Sequence, residues 1–453
     1  MSKQMIAVIV LAAGKGTRMK SAMPKVLHPL AGKPMISHVL DTVAPLNPAE
    51  TVVVVGPGMS DVVTAVSPNP TVTQGKRLGT ADAVKSTRES IEGVAADTIF
   101  ILYGDTPLIK TETLSAMLQA RAEGAALVVL GFTPDDPGAY GRLKLNATGG
   151  LDAIVEARDA SEAERAIGLC NSGVMAVDGA YLFDLIDQVG NDNAKGEFYL
   201  TDIVALARAR DLACAVVEAP VAELMGVDSR SALAQAEAAW QAQRRLQAMD
   251  EGATLLDPDS VWFSHDTVIG KDVILGPSIF CGPGVSVADN VEIRAFSHLE
   301  GVRIEEGAIV GPFARLRPGA VIGKDAFVGN FVEIKNAVLG EGAKASHLSY
   351  IGDAMVGAKA NIGAGTITCN YDGYSKHKTI IGKAAFIGSN TALVAPVTVG
   401  DGAVVAAGST VVSDVGADAL AIARGKQMNL PGRAKALREK LSAAKKIQQD
   451  KKD

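Results

Sequence analysis

The sequence predicts two architectures in one chain: an α/β domain with a parallel, Rossmann-like sheet, followed by a parallel β-helix built from hexapeptide repeats. Two observations support this prediction. Aliphatic residues recur every six positions in the C-terminal half, and short apolar runs near the N-terminus end in glycine-rich or acidic loops. A period of six fits neither an α-helix nor an alternating strand, whereas the coils of a β-helix have that period.

The six-residue period is clearest between Ile381 and Val411, where a small residue mostly follows each aliphatic one. The aliphatic side chain would fill a narrow core, and its small neighbour would let the backbone turn. With shifts of frame, the series comprises Ile269, Leu275, Cys281, Val287, Ile293, Ile304, Val310, Leu316, Ile322, Val328, Ile334, Ile381, Ile387, Leu393, Val399, Val405 and Val411. Chance spacing in a Val/Ile-rich domain is the alternative, and the length of the series argues against it.

Composition limits the class of protein. The hydrophobic content of 48% is ample for sizeable cores, and the net charge of −6 argues against a general nucleic-acid binder. The four cysteines (Cys170, Cys214, Cys281 and Cys369) show no C-x-x-C spacing. We therefore expect free thiols and a cytoplasmic location.

The longest apolar run near the N-terminus, Met5 to Ala13, is too short to span a bilayer, so no membrane partner is expected. As the core of a signal peptide, this run would need Lys3 as its charged region. The residues that follow are better explained by a buried strand and a phosphate-binding loop.

That strand is Ile6 to Leu11, and the string L-A-A-G-x-G-T-R-M begins at its end, with Pro24-Lys25 downstream. Glycines let the backbone approach a phosphate, and amides entering a following helix would add partial positive charge. Arg18 and Lys25 would add full charges for a triphosphate. The alternative is an ordinary strand-to-helix turn with solvated basic residues.

Two further parallel strands are predicted at Thr51 to Val55 and Thr98 to Tyr103. Asp105 follows the second, where open α/β sheets bind ligands, and a carboxylate there suits Mg²⁺. N-capping of a following helix is the alternative for Asp105. Between these strands, the loop Gln74 to Thr80 offers amide and hydroxyl groups suited to a pyrimidine edge.

Five short motifs follow: Ala139–Arg142, Ile154–Glu156, Cys170–Gly173, Gly196–Asp202 and Gly226–Asp228. With the glycine-rich string, their order and spacing resemble the uridyltransferase domain of the bacterial bifunctional UDP-N-acetylglucosamine pyrophosphorylase/glucosamine-1-phosphate N-acetyltransferase family. With the repeats behind them, the resemblance covers nearly the whole chain. It implies a nucleotidyltransferase domain followed by a left-handed parallel β-helix.

The resemblance also implies site residues in the first domain. Arg18 and Lys25 would be catalytic cations, and Asp105 and Asp228 would bind Mg²⁺. The residues implied to bind UTP or the UDP-sugar are Leu11, Ala12, Ala13, Gly14, Lys25, Gln74, Gly79, Thr80, Gly141, Glu156, Asn171 and Asp228. Two positions depart from the family: Asp228 stands where Asn is usual, which adds negative charge beside the metal, and Arg77 stands where Gln is common.

The repeat phase breaks between Ile362 and Ile381, which predicts that residues 363–379 loop out of the coil. Upstream, three polar runs lie one to two coils apart: Arg315–Gly319, Asn330–Lys335 and Ser346–Tyr350. Stacking would bring cations, a histidine and a tyrosine to one wall, which suits an anionic sugar phosphate beside a general base. Taken alone, the histidine could equally be an incidental surface imidazole.

By the same resemblance, His347 is that base. The residues implied to bind glucosamine 1-phosphate are Arg317, Lys335, Tyr350, Asn361 and Lys376, and those for the co-substrate acetyl-CoA are Ala364, Asn370, Tyr371, Ser389, Ala407 and Arg424. The resemblance also implies that Asn370 and Tyr371 lie against the reacting centre. Cys369 would permit an acetyl-enzyme, but no base partner is evident in its segment. Direct transfer in a ternary complex is therefore predicted.

The expected domain limits are 1–228 for the uridyltransferase, 229–252 for a helical linker, 253–432 for the β-helix and 433–453 for a basic helical tail. The linker helix could instead belong to the core of either domain. The tail carries Leu437, Leu441 and Ile447 on one face and is expected to pack lightly against the β-helix or a neighbouring subunit. Nothing specific supports nucleic-acid or membrane binding by the tail.

The resemblance implies a bifunctional enzyme that acetylates glucosamine 1-phosphate and then couples N-acetylglucosamine 1-phosphate to UTP, giving UDP-N-acetylglucosamine and pyrophosphate. The alternative is a nucleotidyltransferase with a non-catalytic β-helix module, which would need neither His347 nor Lys335. A binding-only relative would be expected to lose Lys25 or Asp105. Because flat coils offer no deep cleft for acetyl-CoA, we also expect a homotrimer with shared sites.

Overall fold

The computed structural model describes residues 4–193 and 196–449. The chain forms two compact units. Unit 1 runs to Val268 and includes Phe280–Val285, and unit 2 comprises Ile269–Ile279 and the residues from Ser286 onwards. The predicted domain limits differ in detail from these units and stay a prediction.

Unit 1 contains short strands and helices in alternation. Its strands are β1 (Ile6–Leu11), β2 (Pro29–Leu30), β3 (Lys33–Pro34), β4 (Glu50–Val55), β5 (Thr71–Thr73), β6 (Thr98–Tyr103), β7 (Leu127–Phe132), β8 (Arg142–Leu145), β9 (Leu151–Val155), β10 (Cys170–Asp178), β11 (Cys214–Glu218), β12 (Thr254–Leu255) and β13 (Val261–Phe263). Its helices are α1 (Met35–Val43), α2 (Ser60–Val66), α3 (Thr80–Lys85), α4 (Arg88–Glu92), α5 (Thr111–Ala122), α6 (Glu162–Arg165), α7 (Leu182–Ile186), α8 (Asp202–Arg208) and α9 (Arg230–Asp250).

The main sheet of unit 1 has the order β11-β7-β10-β6-β1-β4-β5. Strand β1 pairs in parallel with both β4 and β6, and β10 is antiparallel to β6. Ile9 and Val10 enter different apolar clusters, because successive side chains of a strand point to opposite faces. The predicted Rossmann-like sheet is therefore confirmed, and β1 and β6 have the predicted bounds.

The segment after β1 corrects one expectation. The sequence suggested a helix directly after the glycine-rich string, yet only two three-residue 3₁₀ helices, Thr17–Met19 and Lys25–Leu27, precede α1. Gly16 and Lys20 flank the first of them with positive φ of 58° and 47°, which turns the chain out of the right-handed helical path. A Cβ at Gly16 would lie 2.7 Å from the Cβ of Lys25, so this glycine also lets the lysine pack against the loop.

Helix α9 belongs to unit 1 and packs against its other elements. Ala236 on this helix is fully buried in a cluster with Leu30, Met35 and Val227. Ser229 caps its N-terminus by accepting a hydrogen bond from the amide of Ala232 at 3.2 Å.

The strands from residue 268 onwards are short and evenly spaced. They are β14 (Val268–Ile269), β15 (Ile274–Leu275), β16 (Ile279–Cys281), β17 (Ser286–Val287), β18 (Glu292–Ile293), β19 (His298–Leu299), β20 (Val302–Ile304), β21 (Ile309–Val310), β22 (Arg315–Leu316), β23 (Ala320–Ile322), β24 (Phe327–Asn330), β25 (Glu333–Lys335), β26 (Val338–Leu339), β27 (Lys344–His347), β28 (Tyr350–Gly352), β29 (Ala354–Val356), β30 (Asn361–Ile362), β31 (Ile367–Cys369), β32 (Thr379–Ile381), β33 (Phe386–Ile387), β34 (Ala392–Val394), β35 (Val397–Val399), β36 (Val404–Val405), β37 (Thr410–Val411) and β38 (Leu420–Ala421). Helix α10 (Arg433–Gln449) follows.

These strands stack in three parallel sheets within unit 2. Their orders are β15-β18-β21-β24-β27-β30-β33-β36-β38, β19-β22-β25-β28-β31-β34-β37 and β17-β20-β23-β26-β29-β32-β35. Residues of the six-residue series, such as Leu316 and Ile334, lie opposite each other in neighbouring coils and are fully buried. The predicted parallel β-helix is therefore confirmed.

The predicted loop at 363–379 is only partly correct. Residues Ile367–Cys369 form β31, which continues the stack between β28 and β34, so the chain leaves the coil only over residues 370–378. Thr366 and Thr368 are buried where an aliphatic residue was expected. The hydroxyl of Thr368 accepts a hydrogen bond from the backbone amide of Gly352 at 2.7 Å, which satisfies this hydroxyl inside the core. Because threonine replaces an aliphatic residue here, the six-residue pattern of apolar residues does not reveal this coil.

Every described residue of α10 is exposed, so the tail buries no side chain against the β-helix, and its expected packing against a neighbouring subunit stays a prediction. The four cysteines are free thiols, as predicted. Burial raises the pKa of Cys214 to about 11 and that of Cys281 to about 12, which makes both thiols unreactive. In residues 4–193 and 196–449, no helix is long and apolar enough to cross a membrane.

Candidate active sites

In unit 1, a cavity of about 510 Å³ opens at the edge of the sheet where β6 ends and β10 begins. Its walls include four residues that the resemblance assigned to the nucleotide-sugar site, Thr80, Gly141, Glu156 and Asn171, and the expected catalytic cation Arg18. The backbone of Asn171 is held in place by Gly141, since its backbone N–H donates a hydrogen bond to the carbonyl of Gly141 at 2.8 Å. The structure thus brings residues from five separate motifs of the chain together around one cavity.

Beside this cavity, the predicted cations meet the predicted metal ligands. Lys25 forms an ion pair with Asp105, and Arg18 forms one with Asp228 at 2.7 Å. The amide of Val227 donates to the carbonyl of Asp105 at 2.8 Å, which holds the two acidic segments next to each other. The ends of β1, β6 and the segment before α9 therefore form one charged group.

Asp105 does not cap a helix, so that alternative is wrong. Helix α5 begins six residues later, with Lys110 in the N-cap position. Within residues 4–193 and 196–449, no three His, Cys, Asp or Glu side chains cluster as a protein-only metal site would require. A metal held by Asp105 and Asp228 would thus need further oxygen ligands, which substrate phosphates can supply.

The loop after β5 is tightly organised. The side-chain amide of Gln74 is buried and donates to the carbonyl of Gly79 and to Asp82, both at 2.8 Å. Gly79 has a φ of 129°, and a Cβ there would lie 2.4 Å from the carbonyl oxygen of Phe198, so only glycine fits. Gln74 thus shapes the loop, while its predicted contact with a nucleotide is untested.

Arg77, one of the two departures from the family pattern, lies across the end of β4. A Cβ at Gly56 would be 1.9 Å from its guanidinium, and the Nε of Arg77 is buried with no hydrogen-bond partner among the described residues. Leu11, Ala12 and Ala13 are buried. Gly14 lies in open space.

Several further residues of the cavity wall had been given no individual role. Seven of them lie in motifs that the sequence analysis singled out: Ala139, Tyr140, Ser172, Gly173, Glu197, Tyr199 and Thr201. Sequence reasoning missed the others, which are Tyr103, Ala157, Arg158 and Asp159. Burial raises the pKa of Tyr103 far above its ordinary value, so its hydroxyl stays protonated and can donate a hydrogen bond. Its position as the last residue of β6, next to Asp105, was the signal that could have revealed it.

In unit 2, His347 ends β27 and lies directly opposite Asn330 of the preceding coil. The Nδ1 of His347 and the Oδ1 of Asn330 are 2.7 Å apart, and the imidazole is exposed. Since Asn330 Oδ1 can only accept, the bond places the proton of a neutral ring on Nδ1 and leaves Nε2 as an acceptor. Asn330 was not predicted, although the spacing of one coil separates it from His347.

Several cations lie around β25, which belongs to a different sheet of the β-helix from the strand of His347. The ammonium of Lys376, from the loop of residues 370–378, contacts that of Lys335 and lowers its pKa, and burial and Arg317 lower it further. Arg317 is itself paired with Glu333 at 2.7 Å. Two ammonium groups in contact repel each other unless an anion joins them, so this arrangement suits a phosphate.

The other predicted residues for glucosamine 1-phosphate lie on neighbouring coils. Tyr350 in β28 pairs with Glu333 in β25, one coil from Lys335. Asn361 in β30 pairs with Lys344 in β27, the strand that ends in His347. The structure therefore places Tyr350 on the sheet of Lys335 and Asn361 on the sheet of His347.

Most of the predicted acetyl-CoA residues form a column. The carbonyl of Ala364 accepts a hydrogen bond from the backbone N–H of Asn390 at 2.7 Å, and the carbonyl of Ser389 accepts one from the backbone N–H of Gly408 at 2.8 Å. The carbonyl of Ala407 accepts one from the Arg424 guanidinium at 2.7 Å. Ala364, Ser389, Ala407 and Arg424 thus follow each other along successive coils, while Asn370 and Tyr371 lie at the base of the loop.

Comparison with protein families agrees with both architectures. Residues 8–251 match a MobA-like NTP transferase domain. Residues 301–336 match the bacterial transferase hexapeptide, and residues 378–413 match the hexapeptide repeat of succinyl-transferase. Such repeats form left-handed parallel β-helices.

Full-length relatives are also similar. The bifunctional protein GlmU of Paramagnetospirillum magneticum is 58% identical over 452 residues, 99% of this chain and 100% of that protein. The one of Rhodospirillum rubrum is 60% identical, over 95% and 97% of the two chains, and the one of a Ruegeria species is 55% identical, over 97% and 98%. The chain therefore belongs to the GlmU family, and it is a bifunctional enzyme with nucleotidyltransferase and N-acetyltransferase activities.

Proposed function

We propose that the two activities use the two groups of side chains described above. In unit 1, the charged group of Lys25, Asp105, Arg18 and Asp228 would carry uridylyl transfer. In unit 2, His347 and the cations of β25 would carry acetyl transfer. The observation on which this rests is that each unit holds its own set of charged and titratable residues suited to one of the two reactions.

For uridylyl transfer, a phosphate oxygen of N-acetylglucosamine 1-phosphate attacks the α-phosphorus of UTP. A new phosphorus–oxygen bond forms as the bond to the β-phosphate breaks and pyrophosphate leaves. Lys25 and Arg18 stabilise the charge that develops on the nucleotide and the leaving group. The cavity next to them, with Asn171 and Glu156 in its wall, would hold the sugar.

Mg²⁺ fits this site by the chemistry of its donors. Asp105 and Asp228 offer two carboxylates in a place where phosphate oxygens can complete an oxygen shell. A bound Mg²⁺ would neutralise phosphate charge. Both carboxylates are now paired with cations, and those same cations, Lys25 and Arg18, would turn to the phosphates when substrate binds.

For acetyl transfer, the Nε2 of His347 accepts a proton from the 2-amino group of glucosamine 1-phosphate as its nitrogen attacks the thioester carbon of acetyl-CoA. The carbon–nitrogen bond forms, the carbon–sulfur bond breaks, and the CoA thiolate leaves. Asn330 holds the ring in the required tautomer. Lys335 and Lys376 would bind the sugar phosphate, and the column ending at Arg424 would bind acetyl-CoA.

We further propose a homotrimer whose acetyl-transfer sites lie between subunits. A row of exposed apolar residues at one corner of the β-helix supports this: Phe296, Phe313, Phe331 and Leu348. The three rings stack at centroid distances of 4.8 and 5.3 Å. All four residues have positive φ of 50–60°, which costs about 1 kcal/mol or more for a non-glycine residue.

At comparable turns, smaller polar residues such as Asn290 and Asp325 take this conformation. Large apolar groups in such positions are better explained if a second copy of the chain covers them. The row lies beside the proposed site, because Phe331 follows Asn330 and Leu348 follows His347. We also propose that the enzyme works in the cytoplasm, where UTP and acetyl-CoA are available.

Product analysis tests the proposed pair of reactions. The purified chain is incubated with glucosamine 1-phosphate, acetyl-CoA, UTP and Mg²⁺, and each component is omitted in turn. Omission of UTP should leave N-acetylglucosamine 1-phosphate, and omission of acetyl-CoA should abolish the UDP-sugar. Omission of Mg²⁺ should stop only uridylyl transfer. Formation of the UDP-sugar from N-acetylglucosamine 1-phosphate but never from glucosamine 1-phosphate would contradict the acetyl-transfer half.

A further inference from the structure

One buried carboxylate at the base of the loop of residues 370–378 has no place in the reactions described so far. Asp353, only 7% exposed, accepts a hydrogen bond at Oδ1 from the side-chain amide of Asn336 at 2.6 Å. Its Oδ2 accepts one from the side-chain amide of Asn370, which is 8% exposed. Asp353 thus uses both oxygens to hold two amides from different coils.

Its backbone also fixes the loop. The amide of Asp353 donates to the carbonyl of Lys335 at 3.1 Å, and its carbonyl accepts from the amide of Thr379 at 3.2 Å. Asn370 and Thr379 stand at the two ends of the loop, so one residue contacts both ends. The carbonyl of Asn370 in turn accepts from the amide of His377 at 2.9 Å, which closes the loop on itself.

The carboxylate of Asp353 also places a negative charge near the cations Lys335 and Lys376. Burial opposes its ionisation, yet the hydrogen bonds from Asn336 and Asn370 and the charges of Lys335 and Lys376 lower its pKa. The effect is mutual for Lys335, whose pKa is lowered by Lys376, burial and Arg317 and raised by Asp353. The carboxylate therefore helps Lys335 to stay protonated next to a second ammonium.

We propose that Asp353 is a positioning residue for acetyl transfer, whose carboxylate holds Asn370 at the reacting centre and places a negative charge beside the cations that would bind the substrate phosphate. This inference rests on the proposed function of His347 and Lys335 and on the position that the resemblance implies for Asn370. Asp353 itself need not touch either substrate.

Replacement of Asp353 by asparagine separates these two effects from a general structural one. An asparagine has one acceptor oxygen, so its amide would face the amide of either Asn336 or Asn370, donor against donor. Loss of the bond to Asn370 would misplace that side chain. Misplacement of a reacting group by about 1 Å can reduce the rate about 10²-fold.

The charge effect has a defined sign. Lys335 binds phosphate in its protonated form, so affinity is complete below its pKa and is lost as pH rises through it. Without the carboxylate of Asp353, repulsion by Lys376 and Arg317 is less opposed, and the pKa of Lys335 falls further. The rise of KM for glucosamine 1-phosphate at high pH should therefore move to lower pH in Asp353→Asn.

The experiment measures acetyl transfer by the full-length chain as a function of pH. For Asp353→Asn we expect kcat to fall about 10- to 100-fold. We also expect the alkaline rise in KM to shift to lower pH, with uridylyl transfer and thermal stability close to wild type. The matched control is Asp325→Asn, which also has a positive φ of 54° but is exposed. A second variant, Asn336→Gly, fits the positive φ of 45° and removes only one donor to Asp353.

Asn336→Gly should lower kcat only a few-fold, because the bond from Asp353 to Asn370 remains. Wild-type kcat and an unshifted KM profile in Asp353→Asn would overturn the inference while leaving the proposed function intact. A uniform loss of both kinetic constants together with a lower melting temperature, also seen in Asn336→Gly, would show a merely structural role and overturn it as well. No acetylation by the wild-type chain would instead reject the proposed function itself.

Discussion

The two proposed sites of this enzyme are assembled in opposite ways. In unit 1, residues distant in sequence meet at one edge of a sheet and surround a cavity, and the charged groups there already neutralise each other in pairs. In unit 2, residues one coil apart stack on an outer wall, where the imidazole of His347 is exposed and Lys335 meets another cation.

The difference shows what each architecture can supply alone. An open α/β sheet creates a concave site at the carboxyl ends of its strands, so one chain suffices to surround a substrate. A β-helix supplies a regular ladder of side chains but little concavity, so its site needs a projecting loop or a neighbour. Substitutions in the two units should therefore differ in the reaction that they affect and in the size of their effect.

The largest effect should come from His347→Ala. We expect acetyl transfer to fall about 10²- to 10⁴-fold, the usual contribution of a general acid or base, with uridylyl transfer unchanged because its residues belong to unit 1. Steady-state assays of the two reactions check this. His298→Ala changes another exposed histidine of the β-helix and serves as the control. Equal loss of both activities in a folded protein would refute the assignment of one reaction to each unit.

The corresponding substitution in unit 1 is Asp105→Asn. It removes one of two carboxylates proposed to hold Mg²⁺ and the partner of Lys25, so uridylyl transfer should fall about 10²- to 10³-fold, with acetyl transfer retained. Titration with Mg²⁺ should show a higher concentration for half-maximal rate. Asp41→Asn, at a carboxylate paired with Lys33, is the control. An unchanged Mg²⁺ requirement would exclude Asp105 as a ligand.

A test of the shared acetyl site mixes two inactive variants. After subunit exchange, His347→Ala combined with Arg424→Ala should regain part of the acetyl-transfer activity if the two residues of one site come from different chains. Light scattering should show a trimer. Demonstrated exchange without rescue, or an active monomer at assay concentration, would contradict a site between subunits.

The smallest effect concerns the lysine pair. Lys376 lowers the pKa of Lys335, so binding of glucosamine 1-phosphate, complete at lower pH, should weaken as pH rises through that lowered value. In Lys376→Met the pKa of Lys335 should return towards its ordinary value, and the alkaline rise in KM should move to higher pH, although KM itself increases a few-fold. Lys324→Met, at an exposed lysine paired with Glu306, should leave the profile unchanged.

Local sequence patterns predicted the parallel sheet of unit 1 and the stacked coils of unit 2. The apolar run of β1 and the six-residue series of the β-helix were readable because each strand or coil buries the same kind of side chain as its neighbours. The same rule failed at Thr366 and Thr368, whose hydroxyls are satisfied inside the core by hydrogen bonds that composition does not reveal. The 3₁₀ helices after β1 were missed because positive φ at Lys20 has no clear sequence signal.

The sites were predictable where a motif carries its chemistry in sequence. The ion pair of Lys25 with Asp105 joins two motifs that the resemblance had already singled out. Tyr103, Asn330 and Asp353 were not predicted as site residues, because only the fold brings Tyr103 to the cavity, Asn330 to His347 and Asp353 to Asn370. Residues that orient other residues are therefore the part of a site that sequence reveals least.

The loop of residues 370–378 leaves and rejoins the β-helix without disturbing it. Strand β31 pairs with β34, and β32 pairs with β29, in the same parallel register as coils that have no such excursion. The geometry of each coil thus depends on the coil below it and not on the length of chain between them. A loop of different length or composition between Asn370 and Thr379 should therefore leave the downstream coils preserved.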